Sequence, residues 1–228
     1  MQPDEGRAKL IGVIPLNRLD RAKSRLASAL APSQRAALVL WLAERALAAL
    51  EGSGAVERIL VVSPDDEALA WAEAHGAIPL RQATSGLNTG LSLARNWAVE
   101  HEADGLLIAL GDLPTLTADE VRRFVAMTRL YDAVVGLAPD RARAGTNLLL
   151  ARPTEQTPIA YGRGSFARHR RLAKRTGLPV VEFSAPGAAF DVDNPADLYE
   201  LLARGLWTLP SASEFAETSA KDAQKERA

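Results

Sequence analysis

Short apolar runs alternate with longer helical stretches along most of this 228-residue chain. Arg58–Val62 and Leu106–Leu110 are mostly apolar runs of the length of a buried strand. Between such runs, Pro32 opens a stretch to about Leu50 whose apolar residues have helical spacing, and Thr117 with Glu120 forms a capping box that begins another helix. Strands that alternate with helices predict βαβ units, and therefore an α/β fold with a mainly parallel sheet.

The same patterns predict seven strands and six helices. The predicted strands are 10–16, 58–62, 77–80, 106–110, 133–137, 147–151 and 179–183. The predicted helices are 32–50, 65–75, 86–102, a helix starting at Thr117, 165–176 and 195–204. Two strands follow each other directly around Gly145, which breaks the alternation, so we expect an antiparallel or edge element there.

Length and composition limit the classes of protein that this chain can be. We predict a single domain over 10–207, a flexible N-terminus over 1–9, and a disordered tail over 208–228, because the tail is polar and lacks an apolar period. The 27 basic and 28 acidic residues nearly balance, which argues against nucleic-acid or membrane partners. The chain has no cysteine, which excludes disulfides and thiolate metal sites and fits a cytoplasmic protein.

Three aspartates are the strongest candidates for chemistry. Asp191 and Asp193 are separated by one residue, so in extended backbone they point to the same face. Asp112 directly follows an apolar strand and would lie at its carboxyl end, where open α/β sheets bind ligands. Converging carboxylates suit Mg²⁺, which takes hard oxygen ligands and substrate phosphates. The alternative is three separate turn or helix-cap aspartates, which are common positions for Asp.

The loop after the first predicted strand carries four cations within 17–26: Arg18, Arg21, Lys23 and Arg25. Such a loop can offset the charge of a triphosphate, and the alternative is a solvated basic loop. The glycine-rich phosphate loops of the Walker and G-x-G-x-x-G types do not occur in the sequence. Their absence argues against P-loop and dinucleotide-binding proteins.

Three glycine-containing segments allow close approach of a ligand to the backbone. Gly145-Thr-Asn147 begins a predicted strand, and Tyr161-Gly-Arg-Gly-Ser165 comes directly before a helix whose first N–H groups suit an anion. Ser165 is alternatively only the cap of that helix. Gly86-Leu-Asn-Thr-Gly90 begins another helix, where the Asn88 amide suits a base or ribose.

These motifs, in this order, resemble the 2-phospho-L-lactate guanylyltransferase family, which includes the phosphoenolpyruvate guanylyltransferases of deazaflavin (factor 420) cofactor biosynthesis. The matching residues are Ala22-Lys-Ser-Arg-Leu26, Gly86-Leu-Asn88, Asp112-Leu-Pro114, Gly145-Thr-Asn147, Gly162 with Ser165, and Asp191-Val-Asp193 with Pro195. The resemblance runs from about Leu10 to Leu202. It implies a nucleotidyltransferase fold, which is a three-layer α/β/α sandwich.

The resemblance also implies a role for individual residues. The implied ligands of Mg²⁺, in a site for two ions, are Asp112, Asp191 and Asp193. The residues implied to hold the phosphorylated three-carbon acid are Thr146, Gly162 and Ser165. The residues implied to face GTP are Lys23 and Arg25 at the phosphates, and Gly86 and Asn88 near the nucleoside. The implied catalytic residues are Lys23, Arg25 and Asp112.

The implied reaction transfers GMP from GTP to 2-phospho-L-lactate, phosphoenolpyruvate or 3-phosphoglycerate and releases pyrophosphate. Its product would pass to a downstream transferase of coenzyme assembly. The residues do not decide among the three acids. Asn17 stands where the family usually has Lys, which removes one phosphate contact, and Gly90 stands where Ala is more usual. The alternatives are a nucleotidyltransferase for molybdopterin or a sugar phosphate, and a non-catalytic nucleotide-binding relative.

Overall fold

The computed structural model of the chain describes residues 9–209. The predicted flexible N-terminus lies outside the described residues except for Lys9, and so does the predicted tail from 210 onwards. The predicted single domain over 10–207 falls within the described part, and its boundaries stay a prediction.

Seven strands and seven helices make up the regular structure of residues 9–209. The strands are β1 (Leu10–Pro15), β2 (Arg58–Ser63), β3 (Ile78–Arg81), β4 (Gly105–Ala109), β5 (Val134–Pro139), β6 (Thr146–Arg152) and β7 (Val180–Glu182). The helices are α1 (Pro32–Ser53), α2 (Asp66–Ala74), α3 (Leu87–Glu100), α4 (Ala118–Thr128), α5 (Ser165–Arg175), α6 (Pro186–Ala189) and α7 (Pro195–Ala203). None of the helices in this range is long and apolar enough to cross a membrane.

The strands form one sheet in the order β3-β2-β1-β4-β6-β5-β7. All neighbouring strands are parallel except β6, which is antiparallel to both β4 and β5. The predicted mainly parallel α/β sheet is therefore confirmed, and so is an antiparallel element at the two consecutive strands. That element is not an edge, because β6 lies inside the sheet and the edges are β3 and β7.

Side chains of alternate residues along each strand enter different hydrophobic clusters, because successive residues of a strand point to opposite faces. In β4, Leu107 packs in the cluster that includes residues of α1 and α4, whereas Leu106 and Ile108 pack in the cluster that includes residues of α3 and α5. All three leucine and isoleucine side chains are fully buried. Burial on both faces shows that the sheet is the middle layer of a three-layer α/β/α arrangement.

A third hydrophobic cluster holds the end of the described chain against the first helix. Phe190, Val192 and residues of α7 pack with Leu38 and Leu42 of α1 and with Leu26 of the loop after β1. Each of these side chains is nearly or completely buried. This cluster fixes the segment that carries two of the three candidate aspartates.

The sequence patterns did not predict the shortest elements. The loop after β1 contains two 3₁₀ turns, Leu19–Arg21 and Ser24–Leu26, and the four-residue helix α6 precedes the segment of Asp191. Elements of three or four residues span about one turn, so a helical period has too few positions in which to appear.

We predict that Leu149→Ala destabilises the protein by about 3 kcal/mol, because it removes a fully buried side chain from a strand with neighbours on both sides. Leu130→Ala is the matched control: Leu130 is 85% exposed, so the same substitution should change the free energy of unfolding by less than about 0.5 kcal/mol. Urea unfolding followed by circular dichroism measures both. Equal effects of the two substitutions would contradict the placement of β6 inside the sheet.

Candidate active site

Two distant segments meet at the carboxyl end of β4. Asp112 follows β4 by three residues, and its backbone carbonyl accepts a hydrogen bond of 3.2 Å from the N–H of Val192. The Val192 side chain is fully buried in the third hydrophobic cluster. Because side chains alternate along extended backbone, the burial of Val192 turns Asp191 and Asp193 away from that cluster. The three predicted aspartates therefore lie at one rim of the sheet.

Lys23 joins two of these aspartates. Its Nζ lies 2.9 Å from Asp112 Oδ2 and 2.9 Å from Asp193 Oδ1, and the Lys23 side chain is only 11% exposed. Arg25 is more exposed, and its guanidinium lies 3.8 Å from the other oxygen of Asp193. One ammonium group thus offsets the charge of two carboxylates that come from opposite halves of the chain.

The backbone of Lys23 is held in a rare conformation. Its φ of 47° and ψ of 42° lie in the left-handed region, which costs a non-glycine residue about 1 kcal/mol. The surrounding turns compensate for this cost: the N–H of Leu26 donates to the Lys23 carbonyl at 2.8 Å, and the side chains of Leu19 and Leu26 are buried. The loop therefore holds the ammonium at the rim of the sheet.

Charge and burial shift the pKa values of the rim. Burial opposes the charged form of Lys23, but Asp112 and Asp193 outweigh it and raise the pKa of the ammonium. Burial would also raise the pKa of Asp193, whereas Lys23 and Arg25 lower it below its usual range. Burial together with the charges of Asp112 and Asp193 raises the pKa of Asp191 to about 6. Asp191 is thus the carboxylate whose charge the rim leaves uncompensated.

The donor set at the rim fits a divalent metal ion. No three acidic or histidine side chains within residues 9–209 form a ready-made metal cage, because Lys23 stands between Asp112 and Asp193. However, Asp112 Oδ1 is buried and has no hydrogen-bond partner among the described residues. A buried carboxylate oxygen without a partner, next to a second carboxylate with a raised pKa, is a site that a hard cation would stabilise.

A cavity of about 400 Å³ opens beside this rim, a volume within the range of small-molecule sites. The predicted residues that line it are Lys23, Arg25, Gly86, Asp112 and Asp193. Further lining residues are Pro15, Leu16, Asn17, Arg21, Ala22, Ser24, Val39, Gln82, Leu87, Leu110 and Gly111. The loop after β1, the carboxyl end of β4 and the start of α3 therefore enclose one binding space.

Gln82 is a lining residue that the sequence patterns did not single out. It directly follows β3, and its Nε2 donates to the carbonyl of Thr84 at 2.8 Å. A Cβ atom at Gly90 would overlap Gln82 Oε1, so the departure from the usual Ala at this position makes room for the Gln82 amide. The signal that could have identified Gln82 is its place at the carboxyl end of a parallel strand.

The Asn88 amide contacts the loop before α5. Its Nδ2 donates to the carbonyl of Tyr161 at 3.1 Å, and its Oδ1 accepts from the N–H of Tyr161 at 2.8 Å. Asn88 is not among the residues that line the cavity, whereas its neighbour Gly86 is. The Asn88 amide therefore holds the loop before α5, and its place near the nucleoside stays a prediction.

The residues implied to hold the phosphorylated acid come together outside this cavity. The hydroxyls of Thr146 and Ser165 lie 3.5 Å apart, and both residues are buried. Gly162, with φ of 124°, lies in the turn before α5, where the N–H of Ser165 donates to its carbonyl at 3.0 Å. β6, which begins at Thr146, pairs with β4, the strand that Asp112 follows. A hydrogen bond from the N–H of Leu110 to the carbonyl of Asn147 extends this pairing towards Asp112.

The three-layer fold is the one found in nucleotidyltransferases. Among solved structures, a nucleotidyl transferase from Methanothermobacter matches with a TM-score of 0.63 and 15% sequence identity, over 86% of this chain and 97% of that one. At this identity the likeness shows the fold, and it agrees with the predicted three-layer sandwich.

Sequence comparison gives the family. Residues 10–216 match the family described as guanylyl transferase CofC like. The chain is 49% identical to a phosphoenolpyruvate guanylyltransferase of Sphaerobacter thermophilus, over 84% of this chain and 91% of that protein. It is 38% identical to a 3-phospho-D-glycerate guanylyltransferase of Phenylobacterium zucineum, over 81% and 85% respectively. The chain belongs to the CofC-like guanylyl transferase family, as the motifs predicted.

We predict that Asp191→Asn stabilises the protein in EDTA by about 1 kcal/mol, because it removes a carboxylate that burial and two like charges disfavour. Asp65→Asn is the contrasting control: one Asp65 carboxylate oxygen accepts from the backbone N–H of Leu19 and the other from that of Ala68, so loss of the carboxylate should destabilise. Thermal unfolding at pH 7.5 measures both. A lower melting temperature for Asp191→Asn in EDTA would contradict the repulsion described here.

Proposed function

We propose that this chain transfers GMP from GTP to phosphoenolpyruvate and releases pyrophosphate, as a step of deazaflavin coenzyme biosynthesis in the cytoplasm. The observation that carries the proposal is that Lys23 joins Asp112 and Asp193 at the rim of a cavity of small-molecule size, with Asp191 close enough for both carboxylates to raise its pKa. Family membership and the names of the relatives support the same activity.

In the proposed reaction, a phosphate oxygen of the acceptor forms a bond to the α-phosphorus of GTP. The bond from that phosphorus to the oxygen bridging to the β-phosphate breaks, and the electron pair leaves with pyrophosphate. The acceptor phosphate is already ionised near neutral pH, so the reaction needs little help from a general base. The protein therefore acts by positioning two anions and by stabilising charge.

The negative charge of the two substrates requires cations, and the site offers three kinds. Asp112, Asp191 and Asp193 would hold Mg²⁺, in the two-ion arrangement that the family resemblance implies. When bound, the metal neutralises phosphate charge and polarises the phosphorus that is attacked. Arg25 lines the cavity and would contact the phosphates that leave as pyrophosphate. Lys23 would pass from the carboxylates to phosphate oxygens once the metal binds, because both cations are held by the same carboxylates.

The relatives support phosphoenolpyruvate as the acceptor. The relative at 49% identity bears the name of a phosphoenolpyruvate guanylyltransferase, whereas the relative named for 3-phospho-D-glycerate is at 38%. Thr146, Gly162 and Ser165 would hold the acid, because two hydroxyls and the N-terminal turn of α5 offer hydrogen-bond donors to an anion. The guanylylated product is a mixed phosphoanhydride, so a transferase that attacks it would act next.

We predict that the protein with GTP and Mg²⁺ forms guanylylated phosphoenolpyruvate, identified by mass, and an equal amount of pyrophosphate. The panel of acceptors includes 2-phospho-L-lactate, 3-phosphoglycerate, a sugar phosphate and molybdopterin, and the panel of nucleotides includes ATP and CTP. A product with 3-phosphoglycerate alone would correct the acceptor and keep the activity. Binding of GTP without pyrophosphate release from any acceptor would contradict the proposed function.

The control for this panel is Asp112→Asn, which keeps the shape of the side chain and removes its charge. We expect its turnover to fall by about 10²- to 10³-fold, a loss typical for one group that stabilises transition-state charge. Near-normal turnover of this variant would contradict the role of the rim.

We predict that Lys23→Met increases the affinity of the substrate-free protein for Mn²⁺ by at least about tenfold, because it removes the ammonium that stands between Asp112 and Asp193. Its turnover with GTP should nevertheless fall, because a phosphate contact is lost. Arg18→Met is the matched control, since Arg18 pairs with Asp20 and does not line the cavity. Electron paramagnetic resonance of bound Mn²⁺ gives the affinities, and an unchanged affinity in Lys23→Met would contradict competition of the two cations for the same carboxylates.

A further inference from the structure

His169 is a buried titratable group to which the proposed reaction assigns no role. It lies on α5 and its side chain is fully buried, whereas the other two histidines of the chain, His75 and His101, are exposed. Both of its ring nitrogens have partners: Nε2 lies 3.2 Å from the backbone nitrogen of Ala160, and Nδ1 lies 2.9 Å from Thr146 Oγ1. The ring therefore connects the loop before α5 with the first residue of β6.

These two partners fix where the ring carries its proton. The backbone N–H of Ala160 can only donate, so Nε2 of His169 accepts and carries no proton. A neutral imidazole has one N–H, so the proton is on Nδ1, and Nδ1 donates to Thr146 Oγ1. Burial, and then the charge of Arg168, lowers the pKa of His169 to about 4, so the ring is neutral near pH 7.

The direction of this bond determines what the Thr146 hydroxyl can do. A hydroxyl has one proton to donate, and an oxygen that accepts from His169 keeps that proton for another partner. Ser165 Oγ also donates to Thr146 Oγ1, at 3.5 Å, which is the long limit of a hydrogen bond, so this contact does not use the Thr146 proton either. Thr146 is therefore poised to donate towards the N-terminal turn of α5, where the proposed acceptor anion would lie.

We propose that His169 is a positioning residue that directs the Thr146 hydroxyl to donate to the anionic acceptor. This inference rests on the proposed function, in which Thr146 and Ser165 hold the phosphorylated acid. A carboxylate or phosphate oxygen only accepts hydrogen bonds, so a hydroxyl turned the other way would meet it with lone pairs and repel it. His169 acts on acceptor binding through Thr146 and touches neither substrate.

The second ring nitrogen supports the same part of the site. By accepting from Ala160, His169 holds the loop that leads to Gly162, and the Asn88 amide holds the next residue, Tyr161. The Tyr161 ring also packs edge-on against the imidazole, with centroids 4.8 Å apart. One buried side chain, His169, thus contacts both the loop and the Thr146 hydroxyl, and both lie on the acceptor side of the proposed site.

The test measures KM for GTP and KM for the acceptor separately in His169→Phe, which keeps a buried ring and loses both nitrogens. We expect the acceptor KM to rise about 10- to 100-fold, as for the loss of a hydrogen bond to a charged group, and the GTP KM to change less than about twofold. His169→Asn, whose amide nitrogen can replace Nδ1, should recover part of the loss. His75→Phe is the matched control and should leave both KM values unchanged. His75 is exposed, its Nδ1 contacts the Trp71 carbonyl, and its ring stacks on the Trp71 ring.

A double-mutant cycle with Thr146→Val separates positioning from mere packing. If His169 acts through the Thr146 hydroxyl, then His169→Phe should raise the acceptor KM little further in the Thr146→Val background. Independent, additive effects, or an equal rise of both KM values with a lower melting temperature, would overturn the inference and leave His169 a packing residue.

A readout that does not need activity completes the test. Nitrogen NMR of the ¹⁵N-histidine-labelled protein should show His169 with a protonated Nδ1 and an unprotonated Nε2 at pH 7, and the opposite tautomer would overturn the inference. A wild-type protein that guanylylates no acid would contradict the proposed function itself. A wild-type protein that does so while His169→Phe keeps a normal acceptor KM would contradict only the role of His169.

Discussion

Repulsion among three carboxylates at one rim of the sheet is the constraint on which the site depends. Lys23 offsets Asp112 and Asp193, and the raised pKa of Asp191 shows that its charge is left uncompensated. A protein selected only for stability would not retain a buried charge in such surroundings. Additional positive charge would therefore stabilise the rim, as the Mg²⁺ of the proposed reaction would provide.

The fold holds these like charges together by backbone and apolar contacts on the opposite side. The buried Val192 side chain and its N–H bond to the Asp112 carbonyl fix the middle of the segment. The start of α7 fixes its end, because Asp197 accepts from the N–H groups of Asp193 and Asn194, while Asn194 caps the helix. The groups that orient the three aspartates thus take no part in the proposed reaction. A substitution at any one of the three should therefore leave the backbone around the site unchanged.

Features that depend on local sequence pattern, such as the strands and the residues at their ends, could be predicted from the sequence. Hydrogen bonds between side chains that are distant in the sequence could not. The spacing of apolar residues and the length of each apolar run predicted the strands, and the carboxyl end of β4 predicted the position of Asp112. Asn88 was expected near the nucleoside because its amide suits a base, and its bond to Tyr161, 73 residues away, was not predicted. His169 showed no ligand spacing, and only the packing of α5 against β6 reveals its bond to Thr146. Such pairs follow from tertiary contacts that no spacing encodes.

Asn17, which stands where the family usually has Lys, stabilises the loop after β1 locally. Its Oδ1 accepts from the N–H of Arg18 at 2.9 Å, so the side chain serves the local turn of the loop. Arg21, Lys23 and Arg25 all line the cavity, and Lys23 is held by carboxylates. In the proposed reaction these three cations would meet the triphosphate, and one guanidinium group can bind two phosphate oxygens at once. Without a lysine at position 17, the loop therefore still presents three cations to the cavity.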